Sequence, residues 1–461
     1  MLQKYFGDKA FYKKIMLVAI PIMIQNGMTN FVNLLDNIMV GRVGAEQVSG
    51  VAIVNQVLFV FNLCIFGAIS GAGIFSAQFF GKKDIKGVSN TFRYKLWVVT
   101  IITACALVLL LTRGEDVISL YLTGENDGGN IADTLMYGKM YMRVMLIGLP
   151  AFIITQVYAS TLREAGETIV PMIAGVSAVL VDLVFNYLLI YGNLGLPKLG
   201  VVGAAIATMM SRYVEAAIVV FWTHFRRHKF TYIIGIYKTL MVPKDLLIHI
   251  IKKGFPLFCN EALWSAGMAI LVQCYSVRGF GVVGGLNIAN TIGNLFNIVF
   301  FAMGDAIAII VGQLLGSGQM EKAKDNARKM ITFAVCVSIL VSAAMFATSN
   351  MFPGFYNVNE YTRNLATTFM RIAACYVPML AFLHASYFTL RSGGNTIITF
   401  LFDSVFMWIV SVPLAYVTTR YTSLSIAYVY IIVQGVDIIK CIIGFVLVKK
   451  EIWLNNIVAK E

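Results

Sequence analysis

Apolar residues run through this chain in long blocks. Stretches of about twenty or more recur at 15–40, 51–80, 96–112, 136–160, 169–191, 201–223, 250–276, 286–314, 330–349, 368–390, 396–418 and 424–448. Each matches the roughly 20 helical residues needed to cross the hydrocarbon core of a bilayer. The two-residue alternation of barrel strands is absent, and a chain in lipid must satisfy its backbone hydrogen bonds within each segment. The pattern therefore predicts an all-α, polytopic membrane protein with twelve transmembrane helices and no soluble domain.

The two halves of the pattern repeat one another. TLREAGETI at 161–169 and TLRSGGNTI at 389–397 agree at six of nine positions, at an offset of 228, and the same offset pairs Arg143 with Arg371 and Pro150 with Pro378. Earlier in the chain an offset of 235 pairs Pro21 with Pro256, Asn55 with Asn290, Asn62 with Asn297, Gln78 with Gln313 and Gly81 with Gly316. The expected organisation is a six-helix lobe over 1–223, a linker over 224–250, and a second lobe over 251–461 that ends in a short tail. Six is even, so both lobes enter the membrane from the same side. Such parallel repeats characterise secondary transporters, whose substrate sits between two similar halves.

Composition agrees: 59% of the 461 residues are hydrophobic and 13% charged, with a mean hydropathy of +0.78. The net charge of +13 would suit a nucleic-acid binder, but its placement argues against one. Basic residues gather at the N-terminus (Lys4, Lys9, Lys13, Lys14), after the second block (Lys82, Lys83, Lys86), in the linker, after the eighth block and in the tail. The loop after the third block instead carries Glu115, Asp116, Glu125, Asp127 and Asp133 against Arg113. The positive-inside rule then puts both termini in the cytoplasm of a multi-pass cell-membrane protein. The expected partners are the lipid bilayer and small amphipathic molecules, with no nucleic acid, and the chain is expected to act as a monomer. The first block has no small-residue cleavage site and reads as a retained span. The seven cysteines lie in apolar blocks without paired spacing, as small core residues do.

Charge inside a membrane costs about 3 kcal/mol on insertion scales, so each acid within a span is a candidate site. In the first span Gln25, Asn26, Thr29, Asn30, Asn33, Asp36 and Asn37 fall within an arc of about 140° at about 100° per residue. Ile24, Met28, Phe31, Leu35 and Ile38 cover the other face. The fifth span places Asp182 and Asn186 four apart on one face, and the sixth begins GVVGAAIATMM, whose small residues permit close helix approach and whose Thr208 offers a hydroxyl. Asp36, Asp182, Asn186 and Thr208 together form a candidate ion-coupling set. Their oxygens suit Na⁺, with Asp36, Asp182 and Asn186 as metal ligands, or a titrating carboxyl that carries H⁺. In the second half Asp36 maps to Leu271, while Glu261 maps back to Asn26. Glu261 with Trp264 three residues on suits an organic cation through charge and ring contact, and Asn33 and Asp305 complete the candidate substrate contacts. Asp403 reads as a carboxyl near a helix end, Asp437 and Lys440 as a local pair, and Arg212 with Glu215 likewise. No Walker-type loop, metal-ligand spacing or nucleophile–base pair appears, so an enzyme is not expected, and no cofactor is expected beyond the coupling ion, Na⁺ or H⁺.

The segment PIMIQN…LLDNIMVGRVG, SAQFFGKKD with its echo VGQLLGSGQ, the paired TLREAG and TLRSGG, and GVVGAAIAT resemble the multidrug and toxic compound extrusion family over essentially the whole chain. The resemblance implies two six-helix bundles in a V-shape and export of amphipathic, often cationic or aromatic drugs and toxins in exchange for Na⁺ or H⁺. It implies that Asp36 is the essential first-span acid and Glu261 the seventh-span acid. The family's fifth-span pattern runs Asn then Asp, whereas here Asp182 precedes Asn186, and the tenth-span acid of some members is missing. Two alternatives remain: a lipid-linked oligosaccharide flippase of the same superfamily, although no central arginine cluster is seen, and a membrane-embedded enzyme.

Overall fold

The computed structural model describes residues 4–41, 44–122, 131–356 and 358–459, which leaves Glu125 and Asp127 of the third loop outside the described residues. All regular elements among the described residues are helical, and twelve of them are long and apolar enough to cross a membrane. They are α1 (Lys9–Gly41), α2 (Ala45–Lys82), α3 (Ile85–Ser119), α4 (Ile131–Glu164), α5 (Ile169–Tyr191), α6 (Val201–Phe225), α7 (Lys244–Ser276), α8 (Phe280–Gly316), α9 (Met320–Ala347) and α10 (Glu360–Ser392), followed by α11 (Thr396–Tyr421) and α12 (Ile426–Lys449). Prolines lie inside α1, α4, α7 and α10 at the positions that the two offsets equate. Each removes one helical hydrogen bond, which membrane helices tolerate where neighbours take up the freed carbonyl. Within α11 two π-helical turns occur, Leu401–Val405 and Met407–Ser411.

Packing gathers the chain into two compact units. The first comprises Ile24–Ser76 and Ile85–Ile248, the second Met1–Met23, Ala77–Asp84 and His249–Glu461. In the first unit α4 packs on α3 and α6, and α5 packs on α6. The approach of α5 and α6 is close because position 203 has no side chain. A Cβ there would lie 2.6 Å from the Leu189 carbonyl oxygen of α5, inside any van der Waals contact.

In the second unit α8, α9 and α10 pack together with α12. Ile15, Val18 and Ile22 of α1 join a buried core with Met303, Ile307 and Ile310 of α8 and Met330 of α9. The end of α2 crosses the end of α8 at two glycines: a Cβ on Gly81 would lie 1.9 Å from the Gln313 carbonyl oxygen, and one on Gly316 would lie 1.9 Å from that of Gln78. These are the pairs matched by the 235 offset, and the contact is reciprocal, as a two-fold relation between repeats requires.

The tail after α12 folds back into this crossing. Trp453 is 1% exposed and Val458 fully buried. Gln78 donates to the carbonyls of Ser392 (2.9 Å) and Asn455 (3.2 Å) and accepts from the Ile457 amide (2.9 Å). Lys82 donates to the Val458 carbonyl at 2.6 Å, Asn395 to that of Ile452 at 2.7 Å, and Lys324 pairs with Glu451. One glutamine thus satisfies two backbone groups of a segment with no regular structure and the last carbonyl of α10. Truncating a buried tryptophan costs about 3–5 kcal/mol, so Trp453→Ala is expected to lower the thermal unfolding midpoint of detergent-purified protein by several degrees; an unchanged midpoint would mean that the tail does not support the fold.

Candidate functional site

The first unit brings four predicted residues together from three helices. The Asn186 amide, 1% exposed, donates to Asp36 Oδ1 at 2.8 Å and to Asp182 Oδ2 at 3.1 Å. Asp182 is 5% exposed, and the Asp36 carboxyl and Thr208 of α6 both act on its carboxyl group. Part of the polar face of α1 turns inward: the Gln25 side chain lies against Gly175 of α5, while Ile24 and Phe31 are exposed on the other side and Thr29, of the polar arc, is exposed as well. The side chain of Asn33 lies outside the described residues.

The surroundings of this pair are polar but poor in cations. Tyr141 of α4 is buried beside both acids, and its hydroxyl donates to Asn55 Oδ1 of α2 at 3.3 Å. Arg212 of α6 acts electrostatically on both acids, yet its guanidinium is held by Glu215 at 3.3 Å and lies 5.4 Å from the Phe152 ring centroid. Oδ1 of Asp182 and Oδ1 of Asn186 are buried and accept no hydrogen bond. An ionised carboxylate only accepts hydrogen bonds, so two carboxyl groups gathered on one amide gain from a proton or a cation held with them. Carboxylate, amide and hydroxyl oxygens are the ligand types that hard cations prefer.

The second unit carries a different polar group. Asn260 of α7, 2% exposed, donates to Asp403 Oδ2 at 3.2 Å and to the Tyr387 hydroxyl at 3.3 Å, and accepts from Ser404 Oγ at 2.7 Å. Asp403 sits in the first π turn of α11, the kind of local widening that recurs at functional sites. Lys440 of α12 lies 3.6 Å from Asp403 and 3.5 Å from Asp437. The expected local pair of Asp437 and Lys440 therefore exists, and Asp403 joins it from another helix. Glu261, next to Asn260, is acted on by Arg391 of α10 and by Asp403. Asp305 is half-buried on α8. Trp264 is 37% exposed on α7.

Sequence reasoning passed over several of these residues. Asn260 adjoins Glu261, a polar doublet in an apolar helix, and Arg391 lies in the repeated TLR motif, so both carried a signal. Lys95 of α3 carried little signal, since it stands two residues after Arg93 and just before the apolar block that starts at 96. It is fully buried and bonds to Glu164 at 2.5 Å, Ser160 at 3.1 Å and Thr161 at 3.2 Å. Glu164 belongs to TLREAG; its counterpart in TLRSGG is Ser392, so this ion pair exists in one half only.

Comparison with known proteins follows the same outline. The family model MatE matches residues 21–188 and 256–417. The chain is 25% identical over 415 residues to the probable multidrug resistance protein NorM of Thermotoga maritima, covering 90% of this chain and 87% of that one. It is 21% identical over 427 residues to the probable multidrug resistance protein YoeA of Bacillus subtilis, covering 91% and 89%. Among solved structures, an outward-facing multidrug resistance transporter of the MOP superfamily superposes with a TM-score of 0.83 at 22% identity over 98% of this chain and 97% of that one. A MOP-superfamily transporter from Pyrococcus furiosus gives 0.85 at 21% identity, with coverage of 98% and 97%.

Removing one partner of a buried ion pair costs about 3–5 kcal/mol, because the other charge is left without compensation. Lys440→Met is therefore expected to destabilise the protein strongly, and adding Asp403→Asn and Asp437→Asn to it should recover most of the loss. Thermal unfolding of the single and triple variants checks this; equal destabilisation by both would mean that the three residues are not one electrostatic group.

Proposed function

This chain belongs to the multidrug and toxic compound extrusion family, and on that premise we propose that it is a secondary antiporter that exports amphipathic, cationic or aromatic compounds against an inward flow of a monovalent cation taken up by Asp36 and Asp182. It is a multi-pass membrane transporter and not an enzyme. The multidrug resistance proteins to which it is similar support drugs and toxins as the substrate class. The placement of basic charge supports a cell-membrane location with both termini in the cytoplasm.

The observation that carries this reading is the Asn186 amide, which holds two carboxyl groups from different helices side by side. A pair of acids in lipid without a matching cation is costly as a dianion. Binding one cation removes that cost; releasing it restores it. The group therefore exchanges a cation whenever its access to water alternates. The order of Asp182 and Asn186 does not matter to this chemistry, because the two lie one helical turn apart and either order turns both toward Asp36. Two carboxyl groups gathered on one neutral amide favour H⁺ as the exchanged ion. A second reading, Na⁺ held by Asp36, Asp182 and Asn186 with Thr208, rests on the two buried oxygens that accept no hydrogen bond. For the substrate, Glu261 supplies a negative charge and Trp264 an exposed ring on the same helix, a combination that suits an organic cation.

Asp36→Asn is expected to reduce ethidium efflux from cells to the level of cells without the protein, and efflux at the wild-type rate would remove Asp36 from coupling. Replacing Na⁺ with K⁺ at fixed pH should leave wild-type efflux unchanged, while collapsing the pH gradient should abolish it. Loss of efflux on Na⁺ removal alone would replace H⁺ by Na⁺ as the exchanged ion.

A further inference from the structure

The linker between α6 and α7 is a built structure on the side of the first unit. Three side chains of α3 at successive turns donate to three linker carbonyls at the same spacing: Ser89 to Tyr232 at 2.8 Å, Arg93 to Ile236 at 3.2 Å, and the Trp97 indole to Leu240 at 2.8 Å. Phe230, Tyr232, Ile233 and Ile236 are buried beneath it, while Ile234, Tyr237 and Met241 stay exposed. The linker thus runs along a membrane-spanning helix with apolar residues directed outward, and Trp97 anchors it as tryptophans do at bilayer interfaces.

Under the linker lies a cavity of about 380 Å³ lined by His224, Arg227, Ile234, Ile236, Tyr237 and Lys238, within the range of about 300–1,000 Å³ usual for small-molecule sites. One wall is fixed: the Tyr158 hydroxyl lies 2.9 Å from His224 Nε2 and 2.5 Å from the Tyr237 hydroxyl, and the His224 and Tyr237 rings stack. Among the described residues Arg227 and Lys238 enter no ion pair, and Glu167, the acid in the turn between α4 and α5, is taken by Lys229. Phe221 and Phe225, one turn apart on α6 and flanking His224 in the sequence, are 74% and 86% exposed. Two uncommitted cations over a fixed polar wall suit a phosphate, and an exposed apolar border suits acyl chains. We propose that this cavity binds the phosphate of an anionic phospholipid from the leaflet on the linker's side of the membrane. Basic pockets at the ends of membrane helices recognise such headgroups through charge and hydrogen bonds.

Arg227 and Lys238 are exposed, so replacing them leaves the core intact. Native mass spectrometry of the full chain, incubated with phosphatidylglycerol or phosphatidylcholine, reads lipid retention directly. Wild type should retain phosphatidylglycerol preferentially, and Arg227→Gln with Lys238→Gln should cut that retention about thirtyfold, the loss expected for two interfacial cations. Lys322→Gln with Arg328→Gln on α9, an equal change in net charge away from the cavity, should retain the lipid. Equal loss in both double variants, or retention in the first, overturns the site. Displacement of the lipid by inorganic phosphate alone would make it a free-anion site and overturn the lipid assignment.

Discussion

A polar group inside a bilayer has no water to return to, so every hydrogen bond and charge it needs must come from the same chain. That constraint orders this structure. It forces the backbone into helices, draws helices together where glycine lets backbones touch, and leaves each buried ionisable side chain with a partner or with an unmet requirement. Lys95 is met by Glu164, Lys440 by Asp403 and Asp437, and Arg212 by Glu215. Among the described residues Asp182 is the acid with a buried oxygen that accepts no hydrogen bond.

The duplication sharpens this contrast, because the two halves share a scaffold while their charges differ. Asp36 has Leu271 as its counterpart, Glu261 has Asn26, Lys95 has Met330 and Glu164 has Ser392. Where the repeat is purely geometric it persists, as in the matched prolines and the reciprocal contact of Gly81 and Gly316. In the first unit two acids are joined by a neutral amide, with the nearest arginine engaged elsewhere. In the second, acids are interleaved with Arg391 and Lys440. A carboxyl pair without a matched cation can take up and give back an ion, whereas a salt-bridged acid resists doing so, which supports placing ion exchange in the first unit and substrate contact at Glu261.

Much of this was legible in the sequence because membrane helices write their environment in period and length. Run lengths gave twelve helices, and part of the inward face of α1 followed from spacing alone. Asp36, Asp182, Asn186 and Thr208 could be named from the sequence as candidate ligands, but their meeting could not, because spacing within a helix does not say which helices adjoin. The link from Asn260 to Asp403 and Lys440 was not legible, for a physical reason. Hydropathy fixes how deep a residue lies but not which neighbour it faces, and two π turns in α11 shift the helical phase that a regular 100° projection would assign to Asp403. The partner of Lys95 lies 69 residues away, and no local pattern encodes that pairing. The tail was equally silent, because its order depends on side chains of α2 and of the residues around α10 and not on any periodicity of its own.

The same constraint explains why the chain can tolerate an unmet group at all. An unsatisfied buried oxygen costs about 1–3 kcal/mol, and such a cost persists only when the surrounding packing is strong enough to hold it. Around Asn186 that packing is the close contact of α5 and α6, where Gly203 lies against the Leu189 carbonyl within one turn of the site. If the two helices were further apart, the Asn186 amide could turn toward another partner and the two carboxyl groups could separate. The small residues of GVVGAAIAT therefore do more than permit packing. They keep Asn186 between Asp36 and Asp182, where its amide bonds to both.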